Sequence, residues 1–250
     1  MSIVIKTAEE IEIMRKSCLL ASSVLDMIEE YIVPGVSTEK LNQLCHDYII
    51  EHNAIPSCLD YKGFPKSICT SVNQCVCHGI PDESVLKTGD IINVDVTVFL
   101  NEFHGDTSRT YTVGKTSRAA RDLISAAKES MWEGIRRVKA GAHFGDIGYA
   151  VQSFVEAKGY SVVREYGGHG IGRKFHEDPH VVHYGREGTG PRLEKGMVFT
   201  IEPMINAGAA DIILLDDGWT VETRDQKLSA QFEHTVAVTE DGVDILTLPQ

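Results

Sequence analysis

Positive charge is scarce in this chain. It carries 24 Lys and Arg against 36 Asp and Glu, for a formal net charge of -12. That balance argues against a protein that holds nucleic acid by general electrostatics. The same acidic total can include carboxylates that a metal neutralises in the fold. No apolar run approaches membrane-spanning length. The opening MSIVIKTAEE has no basic stretch followed by an apolar core, so no secretory signal is expected. The six cysteines, Cys18, Cys45, Cys58, Cys69, Cys75 and Cys77, lack the paired CxxC spacing of a zinc module. Reduced thiols in a cytoplasmic protein are the expectation. What is present suits a soluble globular protein: 42% hydrophobic and 24% charged, in 250 residues that can bury a sizeable core.

Thr7 with Glu10 forms a capping box. Beyond it Ile11, Met14, Cys18, Ala21, Leu25 and Ile28 recur three and four apart, the apolar face of a long helix that Pro34-Gly35 ends. A second helix carries Leu41, Leu44, Cys45, Tyr48 and Ile49. The stretch 57–67 reads as a loop exposing Tyr61 and Phe64. Strands are expected at 68–72, 90–100 and 107–113, with a tight turn at Asn101-Glu102. The pattern then starts again. A helix runs through Ala120, Ile124, Ala127, Met131, Ile135 and Val138, and another carries Ile147, Ala150, Val151, Phe154 and Val155. A short strand at 161–164 and a glycine-rich loop, GGHGIGRKFHEDPHV, precede strands at 197–205, 212–215, 220–222 and 232–239.

The recurrence extends to residues. At a shift of 106, Gly35 meets Gly141, Leu41 meets Ile147 and Tyr48 meets Phe154. At a shift of 107, LKTGDIINVD falls on LEKGMVFTIE, so that Asp95 meets Glu202. CHGI resembles GHGI, and Asp106-Thr107 resembles Glu233-His234. A duplicated architecture is therefore expected, with Asp95, Asp106, Glu202 and Glu233 at one centre between similar halves. Each of these carboxylates sits among strand-forming apolar residues, and a buried carboxylate is costly unless something positive meets it. Together they carry a charge of about -4, which two divalent ions balance, and bridging carboxylates hold such ions roughly 3.5–4 Å apart. A site of carboxylates with one or two imidazoles suits Mn, Fe or Co and can hold Zn. His104 and His234 neighbour these carboxylates in sequence but can point to the opposite face. His78 and His169 are flanked by glycine, and His176 follows. His46, His52, His143, His180 and His183 are expected in ordinary surface or structural roles.

The segments HGDTSRTYTVG, GGHGIGRKFHEDP, FTIEPMI and SAQFEHTVAVT, in that order, closely resemble the type I methionine aminopeptidases. The resemblance runs from about residue 3 to 247. It implies an α+β pita-bread fold, with two pseudo-symmetric αβ halves, mainly antiparallel sheet and helices on the outer face. It implies one catalytic domain over 1–250, with the internal repeat at about 7–114 and 115–245. By matched position it makes Asp95, Asp106, His169, Glu202 and Glu233 the ligands of two divalent metals, with Asp106 and Glu233 bridging. His78 and His176 become substrate-contacting histidines, and Glu202 a proton relay. Cys58, Tyr61, Phe64, Cys69, Phe175 and Trp219 become the pocket for a methionine side chain. Asn73, Cys75 and Ser229 fall at a monovalent-cation site, where Cys75 replaces an expected apolar residue. The resemblance also breaks the repeat's symmetry, since it separates His78 from His169 in role.

The implied activity is metal-assisted removal of the first methionine from peptides and nascent chains, with a small second residue preferred. A cytoplasmic monomer making transient ribosome contact is expected, although no basic docking patch stands out. The absence of an amino-terminal zinc-binding extension and of a late helical insertion favours the short bacterial-type form. A proline-specific dipeptidase shares the fold and ligand set, and a non-catalytic binding protein on the same fold is a further alternative.

Overall fold

A computed structural model of the chain describes residues 3–249, so the ends of the 1–250 span lie outside the described residues. Its first part contains helices α1 (Ala8–Ile28) and α2 (Thr38–Glu51), then strands β1 (Ile55–Pro56), β2 (Cys69–Val72), β3 (Cys75–Cys77), β4 (Ile91–Leu100) and β5 (Phe103–Thr112). The second contains α3 (Arg118–Ile135) and α4 (Phe144–Glu156), then β6 (Ser161–Val162), β7 (Gly168–Gly170), β8 (Glu177–Val181), β9 (Val198–Ile201), β10 (Met204–Asn206), β11 (Ile212–Leu214), β12 (Val221–Thr223), β13 (Ser229–Gln231), β14 (Glu233–Val238) and β15 (Val243–Ile245).

The Thr7 capping box forms as the sequence implies. The Thr7 hydroxyl accepts from the Glu10 N–H at 3.2 Å, and the Glu10 carboxylate accepts from the Thr7 N–H at 3.0 Å. Two helix donors that would otherwise lack partners are thereby met. Met14, Cys18, Ala21, Leu25 and Ile28 are buried along one stripe of α1. The helix expected to reach Val138 instead stops at Ile135. A turn takes over there, donating the Val138 N–H to the Ile135 carbonyl, and Val138 stays in the core.

The main sheet runs β1-β4-β5-β14-β9-β7-β8, with β2 on β4 and β15 on β14, and all its pairs are antiparallel. At its centre β5 and β14 lie side by side, with β4 and β9 flanking them. Strand alternation then divides the residues. Ile92, Val94, Val96 and Val98 of β4 pack with Leu25, Ile28, Leu41 and Ile49 of α1 and α2. Phe199, Ile201, Val236 and Val238 of β9 and β14 pack with Leu123, Met131, Ile147 and Val151 of α3 and α4. Both helix pairs therefore pack on one face of the sheet, and Met14 and Cys18 of α1 also reach Val198 and Ala237, which point to the other side of β9 and β14. The alternate residues, among them Asp95, Thr97, Asp106 and Glu233, face the other way.

Three expectations need correction. The strand expected over 197–205 is two, β9 and β10, interrupted at Glu202-Pro203, because proline has no N–H for the ladder. The strand expected over 232–239 likewise begins only at Glu233, and Ser229–Gln231 forms a separate strand in another sheet. The glycine-rich loop contains β7 and β8. A Cβ on Gly168 would stand 2.2 Å from the Thr200 carbonyl oxygen, and one on Gly170 would stand 2.1 Å from that of Asp178. Glycine here permits close strand approach and is not a sign of irregular chain.

Candidate metal centre and side-chain pocket

Asp95 and Asp106 come from adjacent long strands. In the β4–β5 ladder Asp95 lies opposite Ser108, and Asp106 opposite Thr97. Thr97 Oγ1 donates to Asp106 Oδ1 at 2.7 Å, leaving Oδ2 toward the centre of the site. Glu233 opens β14 and Glu202 sits in the break after β9. Asp106 and Glu233 are only 3% and 2% exposed. Single ligand atoms of Asp106, His169 and Glu233 can be chosen that all lie within 4.8 Å of one another.

His169 is aimed by its surroundings. Its Nδ1 is 3.0 Å from the Gly170 carbonyl oxygen, which can only accept, so Nδ1 carries the proton. Nε2 is then a lone-pair donor, 3.6 Å from Asp106 Oδ2 and 3.8 Å from Glu202 Oε1. A ligating imidazole needs this tautomer. The Thr200 hydroxyl joins the same two residues: it accepts from the His169 N–H at 3.0 Å and donates to Glu202 Oε1 at 2.7 Å. Gln231 Nε2 donates to Glu202 Oε2 at 3.2 Å, and the Glu202 N–H donates to His183 Nε2 at 3.0 Å.

The electrostatics call for cations. Burial and then Asp106 push the Asp95 carboxyl well above the usual range, and burial with Asp106 does the same to Glu233. Burial lifts Glu202 to about 7 against the opposing pull of His169. Burial alone would lower His169, but Asp106 and Glu202 outweigh it and raise it. Asp95 Oδ1 is buried with no hydrogen-bond partner. Among the residues lining the cavity only Lys62 is a permanent cation. Four crowded carboxylates, one correctly protonated imidazole and an orphaned carboxylate oxygen fit hard or borderline divalent metals. Asp95, Asp106, His169, Glu202 and Glu233 are the residues that could hold them.

The same cavity, about 310 Å³, continues into a chamber of sulfur and aromatic groups. Cys58, Phe64 and Cys69 form a buried cluster, against which Ile80, Phe175 and Trp219 pack. Phe64, expected to be exposed, is 3% exposed and edge-on to Trp219 at 5.2 Å. The loop after β1 turns it inward, and only Tyr61 remains half-buried at the rim. All the sequence-predicted pocket residues line this one cavity: Cys58, Tyr61, Phe64, Cys69, Phe175 and Trp219. His78 and His176 line it too. His78 takes a left-handed backbone (φ 56°) and stands edge-on to Tyr166 at 5.5 Å. Burial, and then His169, lower its pKa to about 4. His176 stands at the mouth, stacked on Tyr61 at 5.2 Å and 4.1 Å from the His169 ring. Desolvation in that packing, with His169 beside it, lowers its pKa as well.

Several contributors to the site carry no signal in the sequence. Tyr166, His180 and Met204 also line the cavity. His183, expected in an ordinary role, is buried against the Glu202 backbone. His104 is set behind the pocket wall, with Nδ1 2.8 Å from Ser57 Oγ and its ring stacked on Phe175 at 5.6 Å. Strand alternation puts Thr200 on the same face as Glu202, but no local pattern marks a histidine whose partner is a distant backbone amide. Asn73 and Ser229 are joined, the Ser229 N–H donating to the Asn73 carbonyl at 2.9 Å, and Cys75 lies on β3 nearby.

Residues 12–240 match the metallopeptidase family M24. A methionine aminopeptidase from Rickettsia prowazekii is 56% identical; its crystal structure gives a TM-score of 0.98, covering 99% of this chain and 100% of that one. The chain belongs to metallopeptidase family M24, on its methionine aminopeptidase branch. The methionine aminopeptidase from Thermotoga maritima, 38% identical, superimposes with a TM-score of 0.97 over 99% and 100% of the two chains. A prolidase from Pyrococcus furiosus, 23% identical, shares the fold at a TM-score of 0.79 over 99% of this chain but only 66% of its own. The architecture is thus the pita-bread fold of these metallopeptidases. Among the described residues no helix is long and apolar enough to cross a membrane.

Proposed function

We propose that this chain removes the N-terminal methionine from peptides and nascent chains, preferring a small second residue, by hydrolysis at a dinuclear metal centre. One observation carries the reading. A single cavity joins a soft, sulfur-and-aromatic chamber to a cluster of buried carboxylates with an imidazole. The chamber suits a flexible, polarizable thioether. The carboxylate end suits divalent metals, which a substrate's free α-amine could bind through its lone pair, and an amine held there restricts cleavage to the first bond.

Asp95, Asp106, His169, Glu202 and Glu233 would hold the metals, with Asp106 and Glu233 shared between them. The metals supply Lewis-acid polarisation and make water acidic enough to ionise near neutral pH. The protein's own residues do the rest. Glu202, beside the metals, can take the proton of the attacking water and return it to the leaving amine nitrogen. His176 and His78 are neutral at working pH, so each presents an N–H without a competing charge. His176 would donate to the carbonyl oxygen as negative charge develops there, and His78 would fix the substrate amide. Tyr61, Phe175 and His176 crowd one another at the mouth, with ring centroids 4.3–5.2 Å apart. That wall leaves little room beyond the scissile bond, hence the preference for a small second residue. A monovalent cation near Asn73, Cys75 and Ser229 would brace the edge between β3 and β13.

Comparing Met-Ala-Ser with an Ala-Pro dipeptide, with and without chelator, tests the reading. Cleavage of Met-Ala-Ser alone, lost with chelator and restored by Mn or Co, is expected. Preference for Ala-Pro would mark a proline dipeptidase instead, and indifference to chelator would end the metallohydrolase reading.

A further inference from the structure

Two thiols, those of Cys58 and Cys69, line the cavity. Cys58 follows β1 and Cys69 opens β2, and both strands pair along the same edge of β4. Cys69 lies opposite Asp95 in that register. Cys58 Sγ is 4.0 Å from the hydroxyl of Thr97, two residues further along the same face of β4. The strand pairing therefore brings the two thiols into one buried cluster that opens to the cavity. Neither is in a disulfide.

We propose that Cys58 and Cys69 form a dithiol site that chelates thiophilic trivalent arsenicals entering through the side-chain pocket. Two preset thiols make the second bond intramolecular, which raises the effective concentration of the second sulfur. The exchange also suits a buried wall beside the Asp95 carboxylate, because it leaves no charge behind. An organic arsenic(III) oxide condenses with both thiols. The arsenic–oxygen double bond and two S–H bonds break, two As–S bonds form, and the oxide oxygen leaves with both protons as water. Arsenic stays trivalent and nothing is oxidised. Peroxide oxidation to a disulfide is less suited here, since it starts from a thiolate and burial disfavours that form. Bridging the pair staples the segment between them, which carries Tyr61 and Phe64, and fills the chamber.

The entry route rests on the pocket reading given above, but the thiol chemistry does not. Adduct formation is read by mass alone, so it stands or falls separately from Met-Ala-Ser cleavage. The probe is phenylarsine oxide, added to the native, metal-replete protein and followed by intact mass. The expected result is one adduct per chain that resists excess monothiol and is removed by a dithiol such as 2,3-dimercaptopropanol. Cys58→Ser and Cys69→Ser should each weaken the adduct on the order of 100-fold or more, with Cys58→Ala and Cys69→Ala serving if a serine variant fails to fold. Cys77→Ser should keep it; Cys77 is buried on β3 with Cys75 and is not among the residues lining the cavity. Three results would each overturn the proposal: a monothiol-labile adduct in the unaltered chain, an adduct of undiminished stability in both single-thiol variants, or loss of the adduct in Cys77→Ser.

Discussion

The two acidic strand pairs reach the same centre by different means. In the first half β4 and β5 pair without interruption from Ile91–Thr112 to Leu100–Phe103, and the ladder itself holds Asp95 and Asp106. In the second half both carboxylates stand at breaks. Glu202 follows the end of β9 and precedes Pro203, so its backbone has left the ladder. His183 takes up its N–H, and Gln231 reaches both its carbonyl and its carboxylate. The loop bearing His176 is also tied from outside: Glu177 pairs with Lys6 at 2.5 Å, both side chains largely buried. One half positions its carboxylates by regular pairing. The other does so by side-chain contacts that are distant in sequence, and it is the half that supplies the imidazole.

The largest effect should come from the shared centre. Asp106→Ala should abolish turnover and strip metal, a loss exceeding the roughly 10–100-fold typical of outer partners. Metal analysis alongside kinetics checks it, and unchanged metal content would refute a bridging role. Next, Lys6→Met leaves Glu177 as an uncompensated buried charge, at a cost of about 3–5 kcal/mol. Denaturant unfolding measures this, and a loss below about 1 kcal/mol would show that the loop does not depend on the pair.

His183→Leu sharpens the contrast directly. It leaves the Glu202 N–H without its acceptor and should lower metal affinity about 10–100-fold. Thr97→Val, which removes one donor to Asp106 in the regular ladder, should cost less. Equal losses would erase the distinction between the halves. The smallest effect concerns pH. Below about 7 Glu202 holds a proton that a cation must displace, so metal affinity should fall about tenfold per unit for each proton released. In the metal-free chain the raised Glu202 pKa contributes stability that is lost as pH rises through about 7. Metal should therefore raise the melting temperature more at pH 8 than at pH 6; the reverse order would contradict this assignment.

The regular half was legible in the sequence and the irregular half was not. Alternation around Asp95 and the turn at Asn101-Glu102 are short-range signals, and they led to β4 and β5 within a few residues. Glu202 and Glu233 follow from the expected repeat, which carries no sign of the breaks at Pro203 and before Glu233. His169 could not be told from His78 by pattern alone; only the family resemblance separated them. β7 and β8 read as loop because glycine is a poor strand former, whereas here it lets Thr200 and Asp178 approach. Phe64 read as exposed because its surroundings are turn residues, and its burial depends on Trp219 far along the chain.

The most direct test is anomalous diffraction at the manganese or cobalt edge from crystals of the metal-loaded chain. Two peaks are predicted, with Asp106 and Glu233 touching both, Asp95 completing one, and His169 with Glu202 completing the other. Metal held by residues of one half alone, with the other half's carboxylates unengaged, would contradict a centre built jointly by the two.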